Sequence, residues 1–230
     1  MLTFHLPDGR TESVEPTVLL NAGYAGRNQA EVAHHIAELA ELGVPAPTTT
    51  PSLYAVSPYL AQQTDIVSVQ HGRTSGEAEW GIVLLGDRDE DVLLVAACDH
   101  TDRELERHGV AWSKNASPDV LSRKAWRLID IAGHLDRITM RAWVGHGGAG
   151  ADTLIQDGTV ADLLDPFYWL DVLAERGLKT RGTVLISGTI SMLPGVDQFV
   201  DTWRVELGDP TTGDTLECGY RVAPMPAPIG

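Results

Sequence analysis

The sequence predicts an α+β fold that is predominantly β. Short runs rich in Val, Ile, Leu, Thr and Trp crowd the chain after residue 65. Helical patterns interrupt these runs without alternating regularly with them, which argues against a doubly wound parallel sheet. Hydrophobic residues make up 43% of the 230 positions and charged residues 21%, so such strands have a core to bury.

Residues 2–16 read as a hairpin turned at Pro7, Asp8 and Gly9. Residues 26–47 read as a helix, with Asn28 as N-cap and Glu31 three positions on. Ala33, Ile36, Ala37 and Ala40 recur at helical spacing, and Gly43 and Pro45 end the helix. The proline-rich stretch "VPAPTTTPSLYAVSP" follows. It divides a hairpin-and-lid-helix segment, 1–50, from a β-rich domain, 51–230. In that domain strands are expected at 65–69, 78–86, 91–99, 138–144, 182–189 and 201–209. Helices are expected at 101–109, 117–133 and 160–177.

A formal net charge of -15 repels nucleic acid and anionic lipid, so neither is an expected partner. Two cysteines, Cys98 and Cys218, supply no disulfide framework and no cysteine-based zinc motif. No apolar run approaches membrane-spanning length and no signal-peptide pattern is present, so a cytoplasmic protein is expected. "GHGGAG", residues 145–150, fits G-x-G-x-x-G. The strand before it alternates polar and apolar residues, and Gly158 interrupts soon after. A hairpin loop is expected there, and a dinucleotide-dependent oxidoreductase is the competing enzyme reading.

The chemistry begins at "TSGEAEWGIVLLG", residues 74–86. Alternation puts Ala78, Trp80, Ile82 and Leu84 on one face and Glu77, Glu79, Gly81 and Val83 on the other. Two adjacent carboxylates on a face that turns apolar need a cation, a proton or strong donors. On a solvated face they need nothing. A third carboxylate, Asp99, ends the next apolar run after the short gap "GDRDED". Asp99 or Thr101 serves equally well as a helix cap for "DRELE". If Glu77, Glu79 and Asp99 converge, three hard oxygen donors favour Mg²⁺ or Mn²⁺ over Zn²⁺.

Six segments in order resemble the fumarylacetoacetate hydrolase superfamily: "GYAGRNQAEVAHHIAEL", "SGEAEWGIVLLG", "CDHTDRELE", "WSKNASP", "IQDGTVADLL" and "GTVLISGTISMLPG". The resemblance implies a mixed β-roll or sandwich, a homodimer, and Mg²⁺, Mn²⁺ or Ca²⁺ held by Glu77, Glu79 and Asp99. It implies a small oxo-acid or diketone substrate, with Lys114 stabilising oxyanion charge and Gly188, Thr189 and Gln156 on the substrate side. It places a His-x-x-Glu pair on a lid helix, matched here by His35 and Glu38 with His34 beside them. The pattern departs at three positions. Cys98 stands where the family has Asn, Gly76 where it has Tyr, and Ile190 where it has Pro. The lid histidine also falls three residues late.

The expected function is a metal-dependent enzyme that cleaves a carbon–carbon bond hydrolytically through an enolate-type intermediate. Decarboxylation, hydration and isomerisation on the same scaffold are alternatives. A ligand-binding protein that keeps the fold without turnover is the non-enzymatic one. His71 and His100 are open between a role behind the metal ligands and the surface.

Overall fold

Alternation along residues 78–84 divides the interior in two. In the computed structural model, which describes residues 1–41, 47–147, 150–227 and 229, the strand Ala78–Leu84 lies inside an eight-stranded sheet and is buried throughout. Ala78, Trp80, Ile82 and Leu84 pack into one apolar core and Val83 into another. Its antiparallel neighbour Val92–Asp99 repeats the pattern. Val92, Leu94, Ala96 and Cys98 face the first core, and Leu93, Val95 and Ala97 face the second. Both faces of this sheet are therefore covered, which is why its strands read as near-continuous apolar runs.

The sheet runs in the order Ser52–Val56, Val18–Gly23, Thr183–Ile186, Ala78–Leu84, Val92–Asp99, Asp119–Leu121, Ala61–Gln62, and Trp126–Arg127 also pairs with Val92–Asp99. A five-stranded sheet, in the order Thr153–Thr159, Thr139–Gly145, Thr202–Gly208, Thr215–Pro224, Ile66–Val69, supplies Met140, Val205 and Tyr220 to the first core. The N-terminal hairpin, Leu2–His5 paired with Thr11–Val14, supplies Leu2, Phe4 and Val14 to the second. The chain is mostly β with few helices, as expected.

The strand Val18–Gly23 lies between Ser52–Val56 and Thr183–Ile186, so residues 1–50 and 51–230 share one sheet. The helix Gln29–Glu41 starts as expected: Asn28 Oδ1 accepts from Ala30 N at 3.2 Å, and Glu31 Oε1 accepts from Asn28 Nδ2 at 2.7 Å. Residues 43–46 of the proline-rich tether lie outside the described residues.

The structure corrects the expected helix at 117–133. Asp119–Leu121 and Trp126–Arg127 are strands against Val92–Asp99, followed by short turns of helix, Leu128–Ile131 and Ala132–Arg137. Helix-forming residues here yield to a buried sheet edge that needs backbone partners. The expected 160–177 helix shortens to Pro166–Glu175, because Pro166 fits only the first turn and Asp165 caps it, accepting from Tyr168 N at 3.0 Å. Residue 145 leads through the loop into Thr153–Thr159, antiparallel to Thr139–Gly145, so the glycine run joins two hairpin strands. No helix among the described residues is long and apolar enough to cross a membrane.

Candidate metal centre

The face that carries Val83 and Ala97 turns polar at one end of the sheet. Glu79 lies opposite Ala97 across the strand pair, and Asp99 is two residues beyond Ala97 on the same face. Glu77 immediately precedes its strand, and its carbonyl accepts from Asp99 N at 3.2 Å. Glu77, Glu79 and Asp99 each offer a carboxylate oxygen, and these oxygens lie within 4.8 Å of one another. The ambiguity over Asp99 is resolved, because Asp102 caps the helix Arg103–Glu106, accepting from Glu104 N at 3.0 Å and Leu105 N at 3.1 Å.

Lys114 ends a helix, Val110–Lys114, that the sequence did not suggest. Its buried ammonium hydrogen-bonds Asp99 and lies 3.5 Å from Glu77. Burial disfavours that charge, but Asp99, Glu77 and Glu79 hold the Lys114 pKa well above the lysine range. The three carboxylates thus favour the charged, donating form of Lys114. Burial raises Glu77, yet Arg103 and then Lys114 outweigh it and leave the carboxyl below the usual range. Arg103 Nη2 donates to Glu77 Oε1 at 2.7 Å. Burial pushes Glu79 well above that range; Lys114 opposes this, and Asp99, Glu77 and Asp119 reinforce it.

Two partners lay beyond the sequence reading. Asn21 Nδ2 donates to Asp99 Oδ2 and to Asp119 Oδ1, each at 3.1 Å. Asp119 sits opposite Asp99 in the sheet and is fully buried. The erroneous helix at 117–133 hid Asp119. Arg103 stood inside the quoted "CDHTDRELE" segment, where its charge beside three carboxylates was the available signal.

The donor set fits a hard divalent cation. Glu79 Oε1 is buried without a hydrogen-bond partner, and Asp119 Oδ2 behind the centre is likewise unpaired. The candidate ligand atoms are carboxylate oxygens, with no thiolate or imidazole among them, and the Lys114 ammonium lies beside them.

The substrate-side residues are more committed than expected. Gly188 N donates to Glu79 Oε2 at 2.6 Å, so this amide braces a carboxylate. Gln156 is fully buried. Its Oε1 accepts from Ala78 N at 2.8 Å, and its Nε2 donates to Thr189 Oγ1 at 2.8 Å and Ile190 O at 2.6 Å. Thr189 Oγ1 in turn donates to Ala78 O at 2.8 Å. Gln156 and Thr189 thus clamp the loop after Thr183–Ile186 to the strand that holds Glu79.

A cleft of about 870 Å³ opens over Glu77, Glu79, Lys114, Gly188 and Thr189. The start of the helix Gln29–Glu41 reaches it through Asn28, Glu31 and Val32. The side chains of His35 and Glu38 lie outside the described residues. His34 is exposed. Burial, reinforced by Arg103, lowers His100 to about 3, so it is a neutral ring between Tyr220 OH at 2.8 Å and Thr74 Oγ1 at 2.9 Å. His71 lies 3.3 Å from Asp102 and takes no part in the centre.

Two of the departures from the resembled pattern touch each other. A Cβ at Gly76 would come within 2.7 Å of both Cys98 Sγ and the Trp203 ring. A tyrosine has no room at position 76 beside this Cys98.

Solved structures share the fold at low sequence identity. A 2-keto-3-deoxyarabinonate dehydratase matches with TM-score 0.65 and 15% identity over 96% of this chain and 78% of that one. The structure titled "2-keto-3-deoxy-D-arabinonate dehydratase complexed with magnesium and 2,5-dioxopentanoate" matches with TM-score 0.62 and 16% identity over 96% and 78%. Cg1458 in complex with an inhibitor matches with TM-score 0.61 and 18% identity over 95% and 81%. These are fumarylacetoacetate hydrolase-like folds, and the expected fold class holds. No curated protein matches the sequence. Residues 22–220 match the family described as "Protein of unknown function (DUF2848)", and the chain belongs to that family.

Proposed function

We propose that this protein is a divalent-metal-dependent enzyme acting on a small 2-oxo acid or diketone. The observation that carries the reading is the convergence of Glu77, Glu79 and Asp99 within 4.8 Å beside a cleft. Glu77, Glu79 and Asp99 would hold Mg²⁺ or Mn²⁺. A bound ion of this kind polarises the substrate carbonyl as a Lewis acid.

The chain's own residues supply the rest. Lys114 lines the cleft, and a positive charge there suits developing enolate or oxyanion charge. Gly188 fixes the Glu79 carboxylate, and Gln156 and Thr189 fix the loop that carries Gly188. On a helix, position 35 follows Glu31 and Val32 by one turn and shares their face. The family resemblance supports His35, with Glu38, as the group that takes a proton from water or from a substrate carbon when this helix closes.

Hydrolytic carbon–carbon cleavage is one outcome of this chemistry. A lyase reaction such as dehydration is the second reading, favoured by the magnesium-bound dehydratase among the structural relatives. The family resemblance also supports a homodimer, which sedimentation at micromolar concentration tests. The deciding experiment incubates a panel of acylpyruvates and hydroxylated 2-oxo acids with Mg²⁺, Mn²⁺ or chelator and weighs the products. Hydrolysis adds one water to the summed products, and dehydration releases one. Turnover that survives chelation, or none across the panel with either ion, sinks the reading.

A further inference from the structure

The cleft also constrains the substrate's tail, on the oxo-acid reading above. Beyond the centre its lining carries four carboxylates, Glu31, Glu106, Asp157 and Asp162, of which Glu106 pairs with Arg103 at 3.1 Å and Asp157 with Arg141 at 2.7 Å. Among the described residues that line it there are two cations, Arg27 and Lys114, and both are engaged. Arg27 forks onto Asp136, with Nη1 to Oδ2 at 2.9 Å and Nη2 to Oδ1 at 2.8 Å. Lys114 is held by Asp99 and Glu77 at the centre.

The helix beside the cleft brings no further lysine or arginine. Between Arg27 and Arg73 the sequence holds no lysine and no arginine. The helix Gln29–Glu41 places Glu31 on the cleft lining instead. The fully buried, unpartnered Glu79 Oε1 marks the end of the cleft where the reacting head belongs. The acidic lining therefore faces the tail. A second carboxylate drawn from water into this space needs a cation or several N–H donors, and Arg27, Lys114, Arg103 and Arg141 are each already engaged by a carboxylate of the chain. The hydroxyl-bearing residues Tyr24, Tyr54 and Ser191 line the same space and suit hydroxyl, carbonyl or amide groups.

We propose that the substrate carries one carboxylate at most, at its oxo-acid head, and an uncharged polar tail, and that the cleft rejects a second carboxylate at the far end.

The test compares 2-oxoadipate with its 6-methyl ester, which differ by one charge at the tail. Both are titrated calorimetrically into wild type with saturating Mn²⁺. The ester is expected to bind at least tenfold more tightly, with the gap narrowing in high salt. Asp157→Asn removes one lining charge and releases Arg141, which donates to Asp157 at 2.7 Å, so the gap should shrink several-fold. Equal affinities, or tighter binding of the diacid, overturn the tail assignment while leaving the oxo-acid reading standing. Failure of both compounds to bind a manganese-loaded protein overturns the oxo-acid reading itself, and the tail assignment with it.

Discussion

Gly188 donates its backbone N–H to Glu79 Oε2 at 2.6 Å from a left-handed conformation, φ +82°. A Cβ at this position would lie 3.1 Å from Ala22 O. Sequence chemistry and site geometry meet in one residue, since glycine reaches this φ without steric cost. Gly188→Ala is expected to cost about 1–2 kcal/mol of stability. By loosening Glu79 it should also weaken Mn²⁺ binding by about tenfold, the equivalent of 1.4 kcal/mol. Urea unfolding and calorimetric titration check the two halves separately.

Glu79→Gln separates metal binding from folding. The metal-free variant should be at least as stable as wild type, because one member of a crowded carboxylate cluster loses its charge. Wild type should gain about 2.7 kcal/mol when Mn²⁺ is present at a hundred times its Kd, and the variant should gain nothing. Thermal melts with and without Mn²⁺ read both effects. An equal Mn²⁺ shift in the two proteins removes Glu79 from the ligand set.

Asn21 is expected to be worth more than an average buried amide, because it serves two buried carboxyls at once. Asn21→Ala should destabilise by about 2–4 kcal/mol, the scale for stranding buried acidic groups. Adding Asp119→Ala should restore part of that loss. A double-mutant cycle in urea with zero coupling would show that the bridge is incidental.

The lid is tested by His35→Ala. A hundredfold or greater fall in kcat, with Mn²⁺ affinity unchanged, is expected for loss of a proton-transfer group. His34→Ala is the matched control, since neighbouring helical positions point about 100° apart. Turnover within a few-fold of wild type in His35→Ala would leave the histidine without a chemical role.

Acid stability is expected to depend on a turn outside the carboxylate centre. Asp209 accepts from Thr211 N at 2.8 Å, from Thr212 Oγ1 at 2.8 Å and from His134 Nε2 at 3.1 Å. Burial raises its pKa, but the Thr211, Thr212 and His134 contacts outweigh it and leave the carboxyl below its usual range. A carboxyl depressed on folding stabilises above its unfolded pKa and loses that contribution as pH falls through the folded one. Asp209→Ala should therefore cost about 1–3 kcal/mol at neutral pH. The penalty should fade below about pH 4, near the unfolded carboxyl value, as denaturant titrations across pH will show.

The convergence of Glu77, Glu79 and Asp99 was legible because its signal is local. Glu77 and Glu79 interrupt an apolar run, and Asp99 ends the next one. Asp119 was not legible, because its placement depends on which strand Val92–Asp99 accepts as its neighbour, a tertiary choice that outweighs the helix-forming residues around it. Thr215–Pro224 is a different case. Leu216, Cys218, Tyr220 and Val222 alternate in plain view and are buried, and this pattern went unread. Val18–Gly23 is a short, nearly continuous apolar run with Asn21 inside it, and periodicity alone does not identify such a strand. The clamp roles of Gln156 and Thr189 depend on hydrogen bonds between segments more than 30 residues apart, which spacing does not record.

The contact between Gly76 and Cys98 has an evolutionary reading. Positions 22 apart in the chain share one volume with Trp203, so neither can drift alone. A larger residue at 76 requires Cys98 or Trp203 to give way. Substitutions at 76, 98 and 203 should therefore be strongly epistatic, and relatives of this chain should sort into lineages that exchange these three residues together.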